Sequence, residues 1–145
     1  MKTRFLLYFL GSMMNILVDS HILIWHAFDE LNKKSPKALS IIQNFDYNLY
    51  FSSVNLWEIS IKSSLNKPDF NVNPEQLANG LLYDGFEQLY IENKHLYAIK
   101  NLPHIHKDPF DRLLLAQSQI ENFYFLTADA LILKYDYDFI IDATI

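Results

Sequence analysis

Short apolar runs alternate along this chain with longer amphipathic stretches. "NILVD", residues 15 to 19, is an apolar run that ends in an acid. Such runs suit strands buried on both faces, as in parallel sheets. "SHILIWHAF", 20 to 28, follows with Ser20 placed to cap a helix. "SPKALSIIQNF", 35 to 45, has Ser35 as N-cap and Pro36 at the first helical position. "NLYFS", 48 to 52, reads as a second strand. In "SVNLWEISIKSSLNK" apolar residues at 54, 57, 61 and 65 form a helical stripe, and Pro68 closes it. "NPEQLANGLLYDG" repeats the cap-and-proline start at Asn73 and Pro74. "FEQLYI" alternates like a strand, and "NKHLYAIKNL" is helical in pattern before Pro103. "DPFDRLLLAQSQIEN" is the next helix, "YFLT" (124 to 127) another buried strand, "ADALILKYD" a short helix and "FIID" a last strand.

Strands and helices therefore alternate throughout, which implies right-handed crossovers. The expected fold is α/β: a three-layer α/β/α sandwich with a central, mainly parallel sheet of four to five strands. No linker, repeat or composition shift marks a second domain, and 145 residues suit one core. The domain proper is expected over 14–145. Residues 1–13, "MKTRFLLYFLGSM", carry two basic residues and a short apolar run from Phe5 to Leu10. That run is shorter than the ~7–15 residues of a signal-peptide core and far below the ~20 of a membrane span. It reads as an N-terminal extension on a cytoplasmic protein with no membrane association.

Composition narrows the chemistry. The chain has no Cys, so any metal must be held by oxygen or imidazole. A net charge of -5 gives no general attraction to nucleic acid, which argues against a DNA-coating protein. A nuclease stays open, because cations bound by carboxylates offset negative charge.

Four acids stand out against the rule that open parallel sheets bind ligands beyond the carboxyl ends of their strands. Asp19 closes the first strand and Asp129 follows the "YFLT" strand by one residue. Glu58 lies in the helix after the second strand, and Asp111 in the first turn of the 108-to-122 helix. Gathered carboxylates raise each other's pKa, and a hard dication reverses that. All-oxygen Mg²⁺ chemistry, with Mn²⁺ as the alternative, is the natural reading. Each acid also has a plain alternative. Asp19 and Asp129 suit helix caps, Glu58 a solvated helix position, and Asp108 and Asp111 a favourable helix dipole.

In this chain order the segments resemble the PIN domain family, and in particular the VapC-type toxins of toxin–antitoxin modules. The resemblance runs from Met14 through "NILVDSHILIW" with Asp19, "SSVNLWEISIK" with Glu58, "LPHIHKDPFDRLLLAQS" with Asp111, and "FLTADALILKYD" with Asp129. It implies a Mg²⁺- or Mn²⁺-dependent endoribonuclease that cuts RNA and so inhibits translation. It also implies a cognate antitoxin protein and a homodimer. Asp19, Glu58, Asp111 and Asp129 would be both metal ligands and catalytic residues. Hydrolysis by an oriented water would leave a 5′ phosphate and a 3′ hydroxyl.

Neighbouring residues receive lesser roles. Asp108 is assigned to the loop and helix start rather than to the metal, and Arg112 to balancing the acids or pairing with Asp108. Ser20 and Thr127 hydroxyls adjoin the acids as caps or as holders of a water or phosphate oxygen. Lys62, four residues after Glu58, suits an ion pair with it. His104 and His106 alternate in a way that could suggest zinc, but the acids need no imidazole, so the pair is read as a surface loop near substrate. His21 and His26 are too poorly spaced to share a ligand face. Trp25 and Trp57 are assigned to core or dimer surface. Two other functions compete. An aspartyl phosphotransferase with Asp19 as nucleophile would want a second aspartate where His21 stands. A non-catalytic interaction module would have no use for four acids.

Overall fold

A computed structural model describes residues 14–145 of the chain. The expectation of an extension at 1–13 lies outside the described residues. Five parallel strands form one sheet: β1 (Met14–Val18), β2 (Tyr47–Ser52), β3 (Glu87–Leu89), β4 (Tyr124–Thr127) and β5 (Ile140–Asp142). Their order is β3-β2-β1-β4-β5. Among the described residues seven α-helices accompany them: α1 (Ser20–Ala27), α2 (Leu31–Lys34), α3 (Pro36–Ile42), α4 (Ser53–Ser64), α5 (Pro74–Tyr83), α6 (Asn93–Ala98) and α7 (Pro109–Glu121). The expected α/β/α class and parallel sheet are what the chain forms.

Period-two alternation within β1 explains the layers. Ile16 and Val18 face one side of the sheet, where they join Leu49, Phe51 and Leu126 in a core with Ile22, Leu23, Ala38, Leu77 and Leu81. Those helix residues come from α1, α3 and α5. Leu17 and Phe125 face the other side and pack on Leu113 to Ala116 of α7, with Leu102, Ile132 and Tyr135. Helix α4 serves both layers, sending Ile59 to the first core and Val54 to the second. Because both faces are covered, β1 is fully buried from Ile16 to Val18, and no polar alternation survives in its sequence.

Caps fix where the helices begin. Ser35 accepts the Ala38 N–H and Asn73 the Gln76 N–H, each ahead of a proline at the first turn. Asp108 does the same for α7, accepting from Phe110 and Asp111 N–H at 2.8 and 3.1 Å. Helix α7 ends at Asn122, which sits in the left-handed region at φ 58° that a short polar side chain tolerates.

Three elements differ in detail from the sequence pattern. Residues 31–34 form a helical turn where no helix was expected. "ADALILKYD" contracts to a 3₁₀ turn at Ile132–Lys134, and the "FEQLYI" strand to Glu87–Leu89 at the sheet edge. Edge strands are held by one neighbour only, so pairing stops where β2 ends.

Candidate active site

The strand order reverses beside β1: the chain first builds outward through β2 and β3, then returns to add β4 and β5 on the other flank. A crevice forms beyond the carboxyl ends of the strands at such a switch point. Asp19 follows β1 directly, and Thr127 ends β4. Register brings them together, because Val18 pairs with Leu126 and Asp19 N–H donates to the Leu126 carbonyl at 3.0 Å.

Asp19 is held on both oxygens. Oδ1 accepts the Ser20 N–H at 2.7 Å, and Oδ2 accepts the Thr127 hydroxyl at 2.7 Å. The same Thr127 Oγ1 receives the Asp129 N–H at 3.0 Å, so one hydroxyl couples two of the acids. Ser20 in turn donates its hydroxyl to Glu58 Oε1 at 2.8 Å and receives the Asn55 amide at 2.9 Å. Glu58 Oε2 pairs with Lys62 Nζ at 2.8 Å, four residues along α4. Asp111, one turn into α7, is buried, as are Asp19 and Glu58. Asp129 is half-buried, and its Oδ1 accepts the N–H groups of Leu131 and Ile132.

Electrostatics separate these acids from ordinary caps. A carboxylate that merely caps a helix is stabilised in its charged form, which lowers its pKa. Here burial pushes Asp19 up to about 6 against its two hydrogen bonds, with Glu58 adding repulsion. Burial pushes Asp111 up to about 8, and the negative charges of Asp19, Asp108, Glu58 and Asp129 add to it. Burial works to lower the Lys62 pKa, yet the carboxylates of Glu58, Asp108 and Asp111 leave it raised above its ordinary value. The acids therefore act on one another across one crevice, and they pay for it in proton affinity.

Ligand-capable atoms of His106, Asp111 and Asp129 lie within 4.8 Å of one another. Asp19 and Glu58 join no such group of three among the described residues; their oxygens turn toward Thr127, Ser20 and Lys62. Both acids still act on Asp111 by their charge, and Asp19 shares the Thr127 hydroxyl with the Asp129 N–H. This donor set fits a hard dication, because buried carboxylates held against ionisation gain from such an ion the counter-charge they lack.

The surroundings correct two expectations. His106 is not a surface-loop residue: its side chain is 10 % exposed, and Nε2 lies 2.6 Å from Asp111 Oδ2 and 3.9 Å from Asp129 Oδ1. His104 is exposed, as the loop reading had it. Arg112 does not pair with Asp108. It is buried and donates to the carbonyls of Ile99, Leu102, Pro103 and His106. Arg112 thus ties the 99–106 segment beneath α7, and Tyr135 Oη adds to it by accepting the His106 N–H and donating to the Pro103 carbonyl. Proline and apolar spacing gave no hint of this, because long-range packing sets it. Lys62 pairs with Glu58 as its spacing implied, and Asp108 caps α7. Trp57 is half-exposed beside Glu58 and meets Phe110 edge-on at 4.7 Å, whereas Trp25 packs on the first core. His21 is exposed, and His26 meets Asp84 at 2.9 Å away from the crevice.

The family model for the PIN domain matches residues 16–137. The chain belongs to the PIN domain family. A search of curated proteins by sequence returns no match. Among solved structures, this PIN domain is similar to a chain of VapBC2 from Rickettsia felis bound to a DNA fragment from its promoter, with a TM-score of 0.62 at 14 % identity over 89 % of this chain and 98 % of that one. It is also similar to a chain of a toxin–antitoxin complex from Klebsiella pneumoniae, with a TM-score of 0.61 at 16 % identity over 88 % and 97 %. At such identities the likeness speaks for the fold. No helix among the described residues is long and apolar enough to cross a membrane.

Proposed function

We propose that this PIN domain is a divalent-metal-dependent endoribonuclease and the toxin of a toxin–antitoxin pair. The observation that carries the reading is the gathering of buried acids, Asp19, Glu58 and Asp111, beside Asp129 at the sheet's switch point. Asp111 is driven to about 8 by burial and by four other carboxylates. A fold stabilised for its own sake would not keep that arrangement, since charged groups are expensive to bury unpaired. The VapBC2 structure and the toxin–antitoxin complex to which this fold is similar support an antitoxin protein as partner. RNA as substrate, a homodimer and a cytoplasmic setting belong to the same proposal.

In this reading Asp19, Glu58, Asp111 and Asp129 would hold Mg²⁺, or Mn²⁺ in its place. When bound, such an ion would supply Lewis acidity toward a water and toward the phosphate and leaving oxygens. The protein's own groups set the stage. Thr127 and the Ser20 N–H orient Asp19, so its carboxylate does not swing when substrate arrives. Ser20 and Asn55 orient Glu58 from one side and Lys62 from the other. Lys62, partly exposed at the crevice edge, is placed to leave Glu58 for a phosphate oxygen. Trp57 offers an exposed ring near Glu58 on which an unpaired base can stack.

The test is incubation of the purified protein with total RNA, with Mg²⁺ or with EDTA, followed by mapping of the ends. Cuts with 5′ phosphates that vanish in EDTA support the reading. Metal-independent cuts ending in cyclic phosphates would reject it. Co-expression of a small neighbouring gene product that abolishes toxicity would support the antitoxin.

A further inference from the structure

We infer that His106 donates its Nε2 to the divalent cation of this site, beside Asp111 and Asp129, and so tilts the site from Mg²⁺ toward a first-row transition ion such as Mn²⁺. The inference rests on the nuclease reading above and names one more ligand for it.

Three observations meet at this residue. First, Nε2 and carboxylate oxygens of Asp111 and Asp129 lie within 4.8 Å of one another, the spacing of atoms that can share one ion. Second, Nε2 is buried and makes no hydrogen bond. Asp111 Oδ2 is only 2.6 Å away, yet it lies off the direction in which the ring nitrogen donates. A buried ring nitrogen without a hydrogen bond calls for a partner, and an ion shared with Asp111 would supply one. Third, the backbone that carries the ring is held there by built contacts. The His106 N–H donates to Tyr135 Oη at 3.0 Å, and the His106 carbonyl accepts from Arg112 at 3.3 Å. Three other carbonyls of the same segment bind Arg112 as well. Ligand residues of metal sites are commonly fixed by outer contacts of this kind.

Nδ1 receives the Asp108 N–H at 3.3 Å, a long contact. Coordination through Nε2 moves the ring proton to Nδ1 and gives up that contact. The loss is small beside what a dication gains, and half-exposed Asp108 can pass its N–H to water. Oxygen-only sites suit Mg²⁺, whereas imidazole favours transition ions, so one nitrogen donor shifts the preference. A second group of ligand-capable atoms, Glu92, His95 and Glu121, does not compete as an argument. His95 is already bonded on both ring nitrogens, and Lys94 fills the space beside Glu121 at 3.0 Å.

The experiment loads ion-free wild-type protein with Mn²⁺ and reads electron spin-echo modulation from nitrogen, with natural and ¹⁵N-histidine label. The expected result is one histidine nitrogen coupled to bound Mn²⁺, absent in His106→Gln and in His106→Asp. Calorimetric titration of the same proteins should show the Mn²⁺-over-Mg²⁺ preference falling about tenfold or more in His106→Gln, the lower end of what even outer contacts to ligands cost. Bound Mn²⁺ without nitrogen coupling in the wild type, or coupling that survives both substitutions, overturns this inference alone. Failure of either ion to bind the wild-type protein overturns the nuclease reading as well.

Discussion

Replacing Asp111 by Asn should stabilise the ion-free protein at alkaline pH while abolishing its activity. An aspartate in an unfolded chain ionises near about 3.9. Folded Asp111 keeps its proton up to about 8, because it is buried and faced by Asp19, Asp108, Glu58 and Asp129. Between those values folding takes up a proton. The group therefore contributes stability that is complete below about pH 4 and is lost as pH rises through about 8. Each pH unit in that window is worth at most about 1.4 kcal/mol, so between about pH 5 and pH 8 the wild type should lose up to roughly 4 kcal/mol from this group. Asp19, raised to about 6, adds a smaller loss over the lower part of the same range. Urea denaturation of EDTA-treated wild type and Asp111→Asn at several pH values measures both slopes. The variant should be nearly flat above about pH 6, and more stable than wild type at about pH 8 by a few kcal/mol. Saturating Mg²⁺ or Mn²⁺ should reverse the order, since an ion that binds only the native wild type stabilises it by mass action. A wild type whose stability is flat or rises from about pH 5 to 8 would refute the reasoning, as would an Asp111→Asn protein less stable than wild type without metal at about pH 8.

Other substitutions probe the neighbouring groups. Asp19→Asn should abolish RNA cleavage yet leave the circular dichroism spectrum of the native fold intact; retained cleavage in protein free of wild type would remove Asp19 from the site. Arg112→Met should lower stability by about 3 kcal/mol or more, because several carbonyls lose their donor in a buried setting, and urea denaturation would show it. Lys62→Met frees Glu58 Oε2, so titration calorimetry should find tighter dication binding while cleavage of RNA slows; weaker dication binding would contradict the assigned ion pair. Leu114→Ala, in the core under α7, should cost about 2–5 kcal/mol by leaving a cavity, with no direct effect on ion affinity.

How the sequence carried the fold can be judged from particular segments. "YFLT" and "NILVD" were legible as strands because burial on both faces leaves an unbroken apolar run, and β4 spans the residues the pattern marked. Helices α3, α5 and α7 announced themselves by a cap followed by proline, a local signal that needs no tertiary contact. The shrunken "ADALILKYD" helix shows the limit: Asp129 spends its carboxylate on Leu131 and Ile132, and the chain turns at once toward β5. At the crevice, chain order and strand ends marked Asp19, Glu58, Asp111 and Asp129 as candidates. The burial of His106 within its loop is not legible, because its position depends on Arg112 and Tyr135, residues 6 and 29 positions away. The Arg112 cage of carbonyls escaped for the same reason, since nothing in a sequence says which backbone oxygens a guanidinium will find. An acid followed by helix caps did carry one true ambiguity. Asp19 and Asp129 both cap and both face the crevice, as a carboxylate with four lone-pair sites can.

The most direct measurement is a crystal of the protein grown with Mn²⁺ and recorded at a wavelength where manganese scatters anomalously. The account predicts a peak in the crevice beyond β1 and β4, within about 2.5 Å of oxygens from Asp111 and from at least two of Asp19, Glu58 and Asp129. A crevice without a peak, or manganese bound only at Glu92 and Glu121, would contradict it.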